Sequence, residues 1–118
     1  MTARKVIENY WRIECTRDVD DIMECYADDA EMVVPGMGRL NGKDQIRRFY
    51  QDSVDRFPKL HVDIVGAVED GDQGAFEWQS LFHDHEDRPF PLEGVNVVRV
   101  GNDKLQSVHV YFDPAELG

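Results

Sequence analysis

The stretch Tyr26-Ala27-Asp28-Asp29-Ala30-Glu31-Met32-Val33-Val34-Pro35-Gly36 decides how the chain is read, because a spacing of about 3.6 residues gives way within it to a spacing of about 2. Upstream, Val19, Ile22, Met23 and Tyr26 fall at i, i+3, i+4 and i+7. That apolar stripe predicts a short helix from Asp18, its N-cap, to about Tyr26. Downstream, Met32 and Val34 share one face of a strand predicted over Glu31 to Val34, closed by Pro35-Gly36.

On the N-terminal side, Val6, Ile7, Tyr10, Trp11 and Ile13 predict a first helix from Thr2 to about Thr16 with Tyr10 on its buried side. On the other side, a loop over Gly36-Met37-Gly38-Arg39-Leu40 leads to a third helix. Asn41 or Gly42 caps it, Ile46, Phe49, Tyr50, Val54 and Phe57 form its stripe, and Pro58 stops it. The pattern then alternates, with Leu60, Val62 and Ile64 opposed to His61 and Asp63 in a strand that ends near Glu69. Asp70-Gly71-Asp72-Gln73-Gly74 reads as a hairpin connection to a strand with Phe76, Trp78, Ser80 and Phe82 on one face. A polar loop from Asp84 to Pro91 precedes a strand over Leu92 to Val100, with Gly94, Asn96 and Val98 opposed to Val95, Val97 and Arg99. Gly101-Asn102-Asp103 turns into a last strand in which Val108, Val110 and Phe112 oppose Ser107, His109 and Tyr111.

A chain of 118 residues suits one domain with one core, here residues 1–118. The layout is α+β: helices on one face of a curved, mostly antiparallel sheet. The sheet's second face also carries apolar residues, which predicts that both faces are covered and that a homodimer forms through the outer one. A formal charge of -11, from 24 acidic against 13 basic residues, argues against nucleic-acid and membrane partners. Cys15 and Cys25 lie in predicted helices without a Cys-x-x-Cys spacing, and the start Met1-Thr2-Ala3-Arg4-Lys5-Val6-Ile7-Glu8 offers no signal-peptide run. A cytoplasmic protein with free thiols is the resulting expectation.

The order of elements, with Tyr26-Ala27-Asp28-Asp29-Ala30 at the first junction and Asn41-Gly42-Lys43-Asp44-Gln45-Ile46-Arg47-Arg48-Phe49-Tyr50 opening the third helix, resembles the ketosteroid isomerases. These belong to the nuclear transport factor 2-like superfamily, which also holds the SnoaL-like polyketide cyclases. The resemblance spans nearly the whole chain and implies a cone-shaped barrel with three helices on its concave face around a deep apolar pocket. It places the oxyanion-hole tyrosine on Tyr10 and the two tyrosines of its supporting network on Tyr26 and Tyr50. The neutral aspartic acid of the oxyanion hole falls on Asn96, the pocket aromatic of the last strand on Phe112, and the general base on Val34, which takes no proton.

Enolate chemistry needs donors aimed at a developing oxyanion and a base within reach of the carbon acid. Tyr10 and Asn96 meet the first need, since an Asn amide donates at any pH. For the second, strand alternation turns Glu31, Asp63, Glu77, Glu93 and His109 away from the pocket face, so no strand carboxylate points inward. Asp113, just past Phe112, is then the nearest candidate base, by likeness to the C-terminal aspartate of some SnoaL-like cyclases. Met32, Val34, Trp78, Phe82, Val98 and Phe112 are expected to contact substrate beside Tyr26 and Tyr50. His83-Asp84-His85-Glu86-Asp87 contains ligand-type residues but falls in a loop, and Asp70-Gly71-Asp72 lacks the closing Glu of a calcium loop. No metal and no cofactor is therefore expected.

Two functions remain from the sequence. One is a ketosteroid isomerase-like enzyme that stabilises an enolate of an apolar carbonyl substrate through Tyr10 and Asn96, with the base unassigned or supplied by Asp113. The other is a non-catalytic binding protein for an apolar phenol or ketone, steroid- or polyketide-like. Both place hydrogen-bond donors deep in an apolar cavity with no proton acceptor opposite them.

Overall fold

A computed structural model describes residues 2–117. Three helices, six strands and a closing 3-10 turn follow one another: α1 (Ala3–Glu14), α2 (Val19–Glu24), β1 (Tyr26–Val34), β2 (Gly38–Asn41), α3 (Gly42–Arg56), β3 (Lys59–Asp70), β4 (Gln73–His83), β5 (Pro89–Gly101), β6 (Lys104–Phe112) and η1 (Pro114–Leu117). The strands form one curved, unclosed sheet in the order β2-β1-β6-β5-β4-β3. All neighbours are antiparallel except β1 and β6, which are parallel.

The helix starts follow their caps. Thr2 Oγ1 accepts from the Lys5 amide, and Asp18 Oδ1 from the Asp21 amide at 3.1 Å. At α3 the Asn41 side chain makes no cap bond; Gln45 Oε1 instead reaches back to accept from the Asn41 amide at 2.7 Å. Gly42 opens that helix at φ 81°, a left-handed conformation that glycine adopts without penalty.

Three departures from the sequence reading share a cause. Tyr26 continues the stripe of α2 but is the first residue of β1, which is nine residues long rather than four. Pairing with the C-terminal strand draws it in: Tyr26 lies opposite Leu105, and the Leu105 amide donates to the Cys25 carbonyl at 2.8 Å. The predicted loop over 36–40 is in part β2, folded back onto β1 by a turn with Gly36 and Gly38 at positive φ. Likewise β5 begins at Pro89, because β4 extends its ladder to a His83–Pro89 pair. In each case backbone pairing with a distant partner overrides the local signal.

The helices pack on the concave face, over a core that runs from Ile7 and Ile22 through Ile46 and Tyr50 to Phe76, Val98, Leu105 and Val108. The convex face is not covered by this chain: Val97 and Tyr111 are 44% and 56% exposed. A bulge between Ile64 and Gly66 turns Val65 outward as well. Among the described residues no helix is long and apolar enough to cross a membrane.

Candidate active site

A cavity of about 240 Å³ lies between the concave sheet face and the helices α1 and α3. Its open side is marked by the exposed residues Met37, Asp52 and Arg56, and η1 reaches it through Leu117, whose carbonyl accepts from Arg56. Strand alternation sends Met32, Trp78, Ser80, Asn96, Val110 and Phe112 inward.

Three phenols form a relay at the helix side. Tyr10 of α1, Tyr50 of α3 and Tyr26 of β1 are all buried; the Tyr50 hydroxyl bonds that of Tyr26 at 2.5 Å and that of Tyr10 as well. Burial pushes all three phenols above their ordinary pKa, so each remains protonated. Each hydroxyl has one proton to give. Tyr10 also lies one helical turn from Glu14 on the buried face of α1. The donors are therefore best satisfied when Tyr26 donates to Tyr50, Tyr50 donates to Tyr10, and the Tyr10 proton points out of the relay toward Glu14 and the cavity.

On the sheet side, Trp78 Nε1 donates to Asn96 Oδ1 at 2.9 Å. With the amide oxygen held, the Asn96 NH2 group is directed at the cavity it lines. Trp78 reaches this position because its pair partner on β5 is Gly94, where a Cβ would stand 2.7 Å from the indole and 2.3 Å from the Tyr111 carbonyl oxygen. Ser80 Oγ, buried in the cavity wall, has no hydrogen-bond partner among the described residues.

The buried acidic group of this cavity is Glu14, which the sequence reading missed. Parity was applied to strands, whereas Glu14 sits on α1 one turn beyond Tyr10 and three residues beyond Trp11, on the same buried face. The signal that could have found it is its spacing, i+7 from Ile7 and i+4 from Tyr10. Arg17 compensates the buried charge from 3.9 Å. Arg17 has φ 62° at the C-terminal end of α1, and its other contacts are to the Phe57 carbonyl at 3.1 Å, Ser53 Oγ at 2.9 Å and the Glu14 carbonyl at 3.5 Å. Burial raises the Glu14 carboxyl above its ordinary value, while Arg17 and the Tyr10 hydroxyl pull it back. The expectation of a cavity without a proton acceptor is corrected accordingly.

Of the other expected residues, Tyr10, Tyr50, Asn96, Met32, Trp78, Phe82 and Phe112 line the cavity. Tyr26 does not; it stands behind Tyr50 as the inner end of the relay. Val34 and Val98 face the core but lie outside the cavity wall. Asp113 also misses it. Its Oδ1 accepts from the Ala115 amide at 3.0 Å, starting η1, and the residue lies exposed on a groove with His61, Asp63 and Glu93. In the loop between β4 and β5, Asp84 accepts from the Glu86 and Arg88 amides at 2.9 Å, and His85 Nε2 meets the Asp55 carbonyl at 2.6 Å. Among the described residues no group of three or more His, Cys, Asp or Glu is arranged to hold a metal.

A SnoaL-like domain model matches residues 7–108, a span that includes Tyr10, Glu14, Tyr50, Trp78 and Asn96 of this cavity. The chain belongs to the SnoaL-like domain family. Solved structures agree on the nuclear transport factor 2-like fold of this SnoaL-like domain. A hypothetical protein with a ketosteroid isomerase-like fold from Catenulispora acidiphila, solved in complex with trimethylamine, is 18% identical with a TM-score of 0.82, over 94% of this chain and 87% of that one. An NTF2-like protein of unknown function from Burkholderia pseudomallei is 18% identical at TM-score 0.82, over 98% and 93%. An M. tuberculosis LEH-like epoxide hydrolase is 18% identical at TM-score 0.81, over 97% and 84%. At this identity they share the fold of the SnoaL-like domain, and none transfers an activity to it. No curated protein matches the chain.

Proposed function

We propose that this SnoaL-like protein is a small-molecule enzyme of ketosteroid isomerase-like type, which binds an apolar carbonyl compound with its oxygen between the Tyr10 hydroxyl and the Asn96 amide and stabilises the enolate formed from it. The observation that carries this reading is the Trp78–Asn96 hydrogen bond, which leaves the amide NH2 as a donor in the same apolar cavity as the outer end of the phenol relay. A phenol backed by two further phenols polarises along the chain, and an amide donates at every pH. Both act where water is largely excluded and a developing oxyanion gains most from fixed dipoles. At interior packing density the cavity of about 240 Å³ holds roughly 180 Å³ of ligand, a bicyclic ketone rather than a whole steroid.

The test is a fluorescence titration with β-naphthol, whose phenolic oxygen stands in for the enolate oxygen. Tyr10→Phe and Asn96→Leu should each weaken binding roughly tenfold, the worth of one hydrogen bond to a partly charged oxygen. Unchanged affinity in both would refute the reading. A non-catalytic binding protein is the second reading, favoured by the apolar Val34 where the related isomerases hold their base. It predicts β-naphthol binding without any exchange of hydrogen on carbon.

The same proposal extends to assembly and location. A homodimer would cover Val65, Val97 and Tyr111 on the convex face, and Val97→Asp should then shift the sedimentation coefficient to that of the monomer. The free thiols of Cys15 and Cys25 accord with a cytoplasmic protein.

A further inference from the structure

We propose that Glu14 is the general base of this site, taking the proton from the carbon next to the carbonyl that Tyr10 and Asn96 hold; the inference rests on the carbonyl-binding reading above. The geometry supplies three reasons. Glu14 is part of the cavity wall, and its side chain, 12% exposed, is not sealed from it. It lies one helical turn from Tyr10, so a ligand with its oxygen on that hydroxyl sets its neighbouring carbon toward α1. Its counter-ion leaves the lone pairs open. Arg17 spends donors on the Phe57 carbonyl and Ser53 Oγ and approaches Glu14 Oε2 only to 3.9 Å, beyond hydrogen-bond distance.

Ligand binding and basicity are coupled through Tyr10. The Tyr10 hydroxyl proton holds the Glu14 carboxyl below the value that burial alone would give it. A carbonyl oxygen that claims this proton releases the carboxylate and displaces water from around it, and both changes strengthen the base. In the step itself the carbon–hydrogen bond breaks, its electron pair becomes the carbon–carbon double bond of the enolate, and the carbonyl π pair moves onto oxygen. The proton passes to a Glu14 carboxylate oxygen and returns to carbon from there. The charged and titratable groups around Glu14 are Arg17 and Cys15 on its own segment, the phenols Tyr10, Tyr26 and Tyr50, and Asp52 and Arg56 of α3 on the cavity's open side. Asp113 is an exposed carboxylate outside the cavity, which makes Asp113→Asn the control.

β-Tetralone in deuterium oxide, followed by proton NMR, reports the step as exchange at the carbon between ring and carbonyl. The parent protein should accelerate exchange, and Glu14→Gln should reduce the protein-dependent rate by roughly a hundredfold or more. Glu14→Asp should keep an intermediate rate, Asp113→Asn the full rate, and β-naphthol affinity should survive in all three. The parent rate should rise with pH through one ionisation above the ordinary carboxylate range, and that rise should be missing in Glu14→Gln. Exchange by Glu14→Gln at the parent rate overturns the proposal. So does a parent rate without that ionisation, which decides the matter should Glu14→Gln fail to fold. Naphthol binding through Tyr10 and Asn96 without any exchange by the parent overturns the role of Glu14 and leaves carbonyl binding standing. Absence of naphthol binding removes both.

Discussion

Replacing Tyr50 by Phe deletes one oxygen from the middle of the phenol relay and should cost far more stability than the same change at Tyr26. Tyr50 is fully buried and its hydroxyl bonds both neighbours. If the protons run from Tyr26 through Tyr50 to Tyr10, Tyr50→Phe leaves the Tyr26 hydroxyl a buried donor without its acceptor, at about 1–3 kcal/mol. The Tyr10 oxygen also loses a donor, about 1 kcal/mol more, for a total of roughly 2–4 kcal/mol. Tyr26→Phe removes the donor at the inner end and leaves Tyr50 still donating to Tyr10, so about 1 kcal/mol is lost. Urea denaturation reads this directly: with a slope near 1.5 kcal/mol/M, Tyr50→Phe lowers the midpoint by about 1.3–2.7 M and Tyr26→Phe by under about 1 M. The double variant has no orphaned donor and should be more stable than the sum of the two changes by about 1–2 kcal/mol. Equal costs at Tyr26 and Tyr50, or strict additivity, would refute the assigned direction and with it the claim that the Tyr10 proton is free for a ligand.

Tyr10→Phe should slow any enolate-forming turnover by roughly 2.7–4 kcal/mol in activation free energy, measured as kcat/KM. Gly94→Ala drives a Cβ against the Trp78 indole, so Trp78 should leave Asn96, with a shifted tryptophan emission and weakened β-naphthol binding. Ser80→Ala removes a buried hydroxyl without a partner and should raise stability by about 1 kcal/mol in the ligand-free protein, read by thermal unfolding. Since the Glu14 carboxyl is raised in the folded state, the folded protein binds the extra proton, and this group's contribution weakens stability as pH rises. The stability of the parent minus that of Glu14→Gln should therefore fall from acid toward neutral pH in urea titrations; a difference that rises with pH would contradict the burial of Glu14.

Much of the site was legible because alternation and helical spacing are geometric. Phe76, Trp78, Ser80 and Phe82 in one strand, and Asn96 with Val98 in the next, had to share a face once the strands existed, and Tyr10 and Tyr50 sat on apolar stripes. The resemblance added the pairing of Tyr10 with Asn96. For Asp113, distance along the chain from Phe112 says nothing of direction, and the local bond to the Ala115 amide turns it outward.

The sequence by itself determined the inward faces, the helix starts at Thr2 and Asp18, and the α+β class, all of which follow from neighbours a few residues apart. Only the tertiary structure decided that Tyr26 is a strand residue, that β1 lies parallel to β6, and that Glu14 becomes a cavity carboxylate. Each depends on a partner far along the chain: Leu105 for Tyr26, and for Glu14 an Arg17 held by Phe57 and Ser53 of the α3 end. A buried charge is tolerable only where its counter-charge is fixed, and that condition is set by packing rather than by spacing.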